Sequence, residues 1–535
     1  MDPSKWQYLV EGGENAIYEQ TTTTSSGGSF HQLLRIRKQD LALSDQMVSC
    51  FSKTKACHDK AENSKSYLEG VVAPLLEPYI DVPATIHLEW SFVAALKQQT
   101  MEHGCIPDAR KSSWNLPPKI NGDSLGSDNM ERQVRAQLIP DYRMLPVTPT
   151  KDDDTHLIPA TAVLSVELKP KAGYLACSPL VQPKHRIKYQ HSRYVLKQKL
   201  YQLEQQEVIR SGWSSADGQV QQSHFDPLNL YSGDPERIQK AIQELFRCPQ
   251  NNLRVTCNKQ LFLSKEKDGS PAYSENAEML SQDILSEWIG GVGSSSLDVL
   301  STMMINISNW LVGVFQQETV LQRLQKLQKL DIVDADGAIL LYHRLVELCK
   351  GSHEEAQSLL DNVMTMLRKE TDGTPPLEDS PFAWSQTNDS DDFLPNFCRK
   401  IKEFEKSLLE VAPKLPPEKF LDHHHEEMMK MIQSMDSSDC QYLLWNWLLS
   451  LTLNDISIFV TFQKVKVPFE KNFQELDSSP ITTGSRSHGI LKLPRENKED
   501  DVHLAYTIRI IDCDGKASNK LRKRWKKEEP FALLL

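Results

Sequence analysis

Phosphoryl transfer asks little covalent chemistry of a protein. It needs backbone N–H groups and cations around nucleotide phosphates, a carboxylate on a metal, and a carboxylate beside the attacking hydroxyl. The sequence holds candidates for each part. In Glu11-Gly12-Gly13-Glu14-Asn15 the glycines let backbone approach a phosphate closely, although a plain hairpin turn uses the same residues. Arg35, on a following strand, can reach toward such phosphates or stand as an exposed strand charge. In Glu167-Leu168-Lys169-Pro170-Lys171 a period of two puts Glu167 and Lys169 on one face, and the proline stiffens the turn before Lys171. Three charges so close are costly without a ligand. Pro249-Gln250-Asn251-Asn252-Leu253-Arg254 sets two Asn amides and a guanidinium in one loop, donors suited to phosphate oxygens or to an Asx-capped turn.

The elements that must carry these residues are legible in outline. Trp6 to Val10 and Ala16 to Tyr18 read as strands flanking the glycine turn, and Leu33 to Lys38 as a third. Helical spacing runs over Ser66 to Leu76 and is ended by Pro74 and its neighbours. Four prolines and three consecutive aspartates between Pro140 and Ala160 mark a boundary between units, predicted as 1–145 and 146–535. Beyond it, Thr161 to Leu168 reads as a strand feeding the lysine-bearing turn. Residues from about 275 to 450 read as helical, with Leu321, Leu324, Leu327 and Leu330 as one buried stripe. An acidic loop is expected at about 371–395. Asp439 to Leu453 reads as a helix, and Ile456 to Phe462 and His503 to Ile511 as strands, the last running into Asp512. The class implied is α+β.

Composition limits the alternatives. With 535 residues, 39% of them hydrophobic and 25% charged, the chain has enough apolar material for several packed units. No transmembrane segment is expected, and no signal peptide is visible, so a cytoplasmic or nuclear address follows. Ten cysteines without a Cys-x-x-Cys pair suit reduced thiols and argue against a thiolate zinc site. A net charge of −11 disfavours a surface built for nucleic acid, so any polyanion must be held locally. Two basic runs are available for that, Lys184 to Lys199 and Lys516 to Lys527, each of which can also be a solvated face.

Taken in order, Glu11-Gly12-Gly13-Glu14-Asn15, Arg35-Ile36-Arg37-Lys38, Glu167-Leu168-Lys169-Pro170-Lys171-Ala172-Gly173, Asp226-Pro227-Leu228-Asn229-Leu230-Tyr231-Ser232-Gly233 and Pro249-Gln250-Asn251-Asn252-Leu253-Arg254-Val255 closely resemble the inositol-pentakisphosphate 2-kinase family. Asn454-Asp455-Ile456-Ser457-Ile458 and Ile511-Asp512 add to the resemblance. It implies a two-lobed kinase-like fold, an N-lobe with an antiparallel sheet and a larger C-lobe of sheet plus many helices. It also implies an enzyme using ATP and Mg2+ to phosphorylate the 2-hydroxyl of inositol 1,3,4,5,6-pentakisphosphate, giving the hexakisphosphate.

Carried over by motif, the resemblance implies Gly12, Gly13, Glu14, Asn15, Arg35, Asp141, Glu167, Lys169 and Arg254 on the nucleotide. It implies Lys171, Arg193, Lys197, Lys199, Asn251, Asn252, Lys516 and Lys520 on the inositide, Asp455 as the catalytic carboxylate, and Asp512 with Asn252 on magnesium. Two family arginines are missing, one replaced by Asp40 and one expected near Arg110. The zinc site of some members is expected to be absent, because His343, Cys349 and His353 lack its cysteine pair. The expected partner is inositol pentakisphosphate, bound by a monomer without membrane or nucleic acid. The alternative is a non-catalytic inositol-polyphosphate sensor.

Overall fold

In the computed structural model the described residues are 1–11, 15–20, 32–37, 67–102, 133–145, 162–210, 221–289, 299–361, 384–387, 390–395, 422–465, 488–493, 502–513, 515, 518 and 520–534. They fall into two compact units, Met1–Lys65 with Asp81–Asp154, and Ser66–Ile80 with Thr155–Leu535. The segment 66–80, counted by the sequence reading among the first 145 residues, thus belongs with the second unit.

The first unit is a five-stranded antiparallel sheet of β1 (Trp6–Glu11), β2 (Asn15–Gln20), β3 (Gln32–Arg37), β4 (Ala84–Glu89) and β5 (Gln133–Pro140), in the order β1-β2-β3-β5-β4. Alternation buries Ala16, Tyr18, Leu34 and Ile36 in one core with Phe92, Val93 and Leu96 of the helix Trp90–Glu102. Asn15, Arg35 and Gln137 are left on the opposite face of the sheet.

The second unit is a seven-stranded antiparallel sheet packed with helices. Its strands are β6 (Val163–Leu168), β7 (Leu253–Cys257), β8 (Gln260–Lys265), β9 (Pro271–Tyr273), β12 (Ser457–Val465), β13 (His488–Leu493) and β14 (Val502–Ile511), ordered β13-β14-β12-β6-β7-β8-β9. Central β6 is buried at nearly every position, as a strand covered on both faces must be. Leu321, Leu324 and Leu327 are buried on the helix Val320–Gln328, as their spacing requires, with Leu330 partly buried just beyond. Among the described residues one helix, Val299–Gln317, is long and apolar enough to cross a membrane. Its Met303, Ile307, Trp310, Leu311, Val314 and Phe315 lie in the core of this unit.

The helical run expected over Ser66 to Leu76 ends at Leu76, with Pro74 inside its last segment. A single π turn at Leu68–Val72, closed by the Ala73 N–H on the Leu68 carbonyl, delivers Pro74 into the first turn of the helix Ala73–Leu76, where its missing N–H costs little. Part of the expected acidic loop is strand: β10 (Trp384–Thr387) pairs antiparallel with β11 (Ser390–Pro395), aromatic and apolar residues sitting among the acids. The rest of it, 371–383 and 388–389, lies outside the described residues.

Candidate active site

The site follows from strand register. Ile458 of β12 pairs with Leu168 of β6, Ser457 with Ile511 of β14, and Leu168 with Leu253 of β7. Because neighbours are antiparallel, the C-terminal ends of β6 and β14 share one end of the sheet with the N-terminal ends of β12 and β7. Lys169, Asp512, Asp455 and Asn252 each lie one or two residues beyond their strand at that end. Residues 343 positions apart therefore meet: Lys169 Nζ is 3.2 Å from Asp512 Oδ2.

Around this pair the expected alternation holds. Ser457 Oγ donates toward both Glu167 Oε1 (3.0 Å) and Asp512 Oδ2 (3.2 Å), and Arg254, opposite Glu167 in the ladder, sits 3.8 Å from its carboxylate. Asp512 has φ +64° and Lys171 φ +61°. Asp tolerates this left-handed conformation better than Lys, so the Lys171 turn must be held by its surroundings.

Lys171 Nζ lies 3.7 Å from Asp455 Oδ1, and Asp455 is the more open of the two, its side chain 60% exposed. Burial pushes the Lys171 ammonium down to about 8; Asp455 opposes that, while Lys169, Lys197 and Arg524 add to it. The Lys527 ammonium is also lowered, by burial first and then by Lys197, Lys523 and Arg524, again against Asp455. The helix Lys520–Glu528 explains the convergence. Positions 520, 523, 524 and 527 share one helical face, and Leu521 and Glu528 on the adjoining face are buried.

A cation-rich field thus surrounds one exposed carboxylate. Lys523, Arg524 and Lys527 were not singled out in the sequence, although the i, i+3, i+4, i+7 spacing from Lys520 was readable there. Ser457 was likewise inside a quoted motif and unassigned.

Lys197 joins this field and also lies 5.3 Å from the Tyr201 ring centre. Lys199 does not join it by any contact observed, being bonded to His191 Nε2 at 2.8 Å; residues two apart on a helix face apart. Arg193 is a correction. Its guanidinium reaches Asp331 (3.0 Å), Asp334 (2.6 Å) and Glu528 (3.3 Å) and donates to Tyr174 OH (2.7 Å), so it is engaged by carboxylates inside the protein instead of facing a phosphate. Fully buried Lys188 joins the same cluster through Asp334 (2.7 Å), Asp336 (3.2 Å) and Glu528 (2.9 Å). These cations hold the Glu528 carboxyl far below its ordinary range despite burial. The cluster anchors the C-terminal end of the basic helix.

The Lys171 turn is anchored by amides. The Gln328 carboxamide N–H groups reach the carbonyls of Lys171 (3.0 Å) and Leu453 (3.1 Å), and its oxygen accepts from Gly173 N (2.9 Å). Tyr231 OH donates to the Lys171 carbonyl at 3.3 Å. Tyr231 packs so closely on Gly173 that a Cβ there would stand 2.1 Å from its Cδ2.

Asn251 is exposed at the start of β7, and Asn252 is buried. The Asn252 amide nitrogen donates to Tyr194 OH (2.9 Å), whose own proton goes to Gln250 Oε1 (2.9 Å), so the Asn252 Oδ1 is left as a buried acceptor without a hydrogen-bond partner. The partnerless Asn252 Oδ1 and the Asp512 and Glu167 carboxylates, which share the Ser457 hydroxyl, are oxygen donors of the kind a hard cation takes together with phosphate oxygens. Magnesium therefore fits the donor set. Where a zinc site was weighed, His353 stacks on Tyr342 and faces Arg522 (3.3 Å).

In the first unit, the Asn15 carboxamide oxygen, in the orientation its neighbours require, accepts from Arg35 Nε (3.1 Å) and Nη2 (2.7 Å), and Arg35 Nη1 donates to Gln137 (3.1 Å). Asn15 and Arg35 are thus together. The Asp141 carboxylate is buried and accepts two bonds from the Arg143 guanidinium, at 2.8 Å each. Gly12, Gly13, Glu14 and Lys516 lie outside the described residues. Lys520 is described, on the basic face.

Carboxylates set among lysines and arginines at one sheet end are the equipment of a kinase for a strongly anionic substrate. A model of the inositol-pentakisphosphate 2-kinase family matches residues 8–530. The inositol-pentakisphosphate 2-kinase of Arabidopsis thaliana is 24% identical over 369 residues, 65% of this chain and 72% of that protein. That of Oryza sativa subsp. indica is 25% identical over 350 residues, 64% of this chain and 70% of that protein, and that of Danio rerio 24% over 269, covering 50% and 46%. The chain belongs to the inositol-pentakisphosphate 2-kinase family, and is a transferase of inositol phosphate metabolism.

Proposed function

We propose that the chain transfers the γ-phosphoryl group of ATP to the 2-hydroxyl of inositol 1,3,4,5,6-pentakisphosphate. The observation that carries this reading is the exposed Asp455 carboxylate beside Lys171 in a cationic field. Five phosphates at roughly −1.5 to −2 each need such a field, since water and salt otherwise screen the attraction. The Asp455 carboxylate, open to solvent beside these cations, can accept the hydroxyl proton as attack proceeds. Lys171, Lys197, Lys523, Arg524 and Lys527 bind and orient the substrate phosphates, with Asn251 and Lys520 at the edge of the same region. Lys169 and Arg254, each beside a carboxylate, serve the nucleotide phosphates.

Magnesium, held by Asp512 and the Asn252 oxygen with Glu167 nearby, would supply charge neutralisation to the nucleotide phosphates. The protein's own contribution is to hold the Asp512 and Glu167 carboxylates together through the Ser457 hydroxyl. The experiment is incubation of purified protein with ATP, magnesium and the pentakisphosphate, with NMR assignment of the new phosphate. Phosphorylation at the 2-position supports the reading. Binding without conversion would make the chain an inositol-polyphosphate sensor.

A further inference from the structure

We propose that Gln328 is a positioning residue that sets Lys171 against Asp455, an inference that rests on the pocket reading above. Gln328 is fully buried at the end of the helix Val320–Gln328. Its carboxamide meets both active-site turns at once. One N–H serves the Lys171 carbonyl and the other the Leu453 carbonyl, two residues before Asp455, while its oxygen takes the Gly173 N–H. Its own backbone carbonyl accepts from Ser450 Oγ at 2.7 Å, fixing it to the helix Ser437–Leu453 that leads to Asp455.

The chemistry of the group matters. Two carbonyls and one N–H converge on it, and among neutral side chains a carboxamide supplies two donors and an acceptor in one plane. Leu453 ends its helix, so its carbonyl lacks the intrahelical partner that Gln328 replaces. Lys171 sits at φ +61°, a conformation that a long side chain holds only when its carbonyl and following residues are fixed. Removing the bracket lets Lys171 relax to an extended conformation, and its ammonium then leaves the neighbourhood of Asp455.

A double-substitution cycle read by calorimetric binding of inositol hexakisphosphate tests this apart from any turnover. Gln328→Met keeps the volume and removes the polar contacts. Lys171→Ala should weaken binding by about tenfold or more in the otherwise unchanged chain, and by roughly threefold or less in the Gln328→Met background, the signature of coupled sites. Lys523→Ala, on the separate basic helix, should cost the same factor in both backgrounds. A general loss of structure would shift both pairs alike. Equal costs of Lys171→Ala in the two backgrounds, or equal coupling to Lys523, overturns the proposal. If Gln328→Met does not fold, Gln328→Glu, which keeps chain length and the acceptor for Gly173, takes its place in the same cycle. Binding of the hexakisphosphate without ATP-dependent conversion of the pentakisphosphate refutes the catalytic reading alone, and the cycle still decides Gln328.

Discussion

Binding of the polyphosphate substrate should draw a proton onto the protein, and Lys171 should be the group that takes it. In the free protein burial lowers its ammonium from 10.5 to about 8, which corresponds to roughly 3 kcal/mol against the charged form. The sign in the free protein follows: the unfolded chain holds this proton up to its ordinary pKa and the folded chain releases it earlier. Stability therefore rises between about pH 8 and 10.5 through this group. A phosphate against the ammonium restores the charged form. At pH 8 about half of the free molecules lack the proton, so binding should take up about 0.5 proton there and about 0.1 at pH 7. Calorimetry in buffers of different ionisation enthalpy measures the uptake directly. The ligand changes its own protonation as well, so the decisive quantity is wild type minus Lys171→Met at each pH. A difference near zero at pH 8 would show that Lys171 does not meet a phosphate, and the inositide assignment of this residue would be withdrawn.

Asp512→Asn should fold normally, because Asn tolerates the left-handed backbone at this position. It should weaken magnesium-dependent nucleotide binding by tenfold or more, about the 1.4 kcal/mol expected at minimum for a lost charged contact, measured by fluorescence titration with and without magnesium. Glu528→Gln leaves Lys188 and Arg193 short of a carboxylate inside the protein and should cost about 3–5 kcal/mol in urea unfolding. Wild-type stability should in turn fall as pH drops below about 4.5, because the Glu528 carboxyl is held lower in the folded chain. Gly173→Ala drives a Cβ into the Tyr231 ring. It should lower Tm by several degrees and reduce substrate affinity, since Tyr231 also supports the Lys171 carbonyl; an unchanged Tm would refute the packing argument.

Much of the site was legible in the sequence because it is local. The Glu167-to-Lys171 alternation and the aspartates beyond β14 and before β12 are properties of short strands and their ends. Ladder register then completes what adjacency begins, since Ser457 opposite Ile511 brings Asp512 to Lys169 across 343 residues. What failed depended on distant packing. Arg193 carries the right charge in the right motif, yet three carboxylates from two other segments engage it. Lys199 and Lys197 are equivalent as letters and opposite as helix positions. The basic helix was visible only as composition until its 520, 523, 524, 527 face was set against Asp455.

Asp455 is proposed to remove the proton of the attacking hydroxyl within a pocket that binds substrate by its cations. The most direct test is the rate of ATP-dependent hexakisphosphate formation by Asp455→Asn, alongside its affinity for the pentakisphosphate. Turnover should fall by the ~10² to 10⁴ typical of a positioned acid–base group while affinity is unchanged or improved, because the Asp455 carboxylate is paired with Lys171 and repels the substrate phosphates. Retention of more than about a tenth of wild-type turnover, a loss under about 1.4 kcal/mol, would contradict the account.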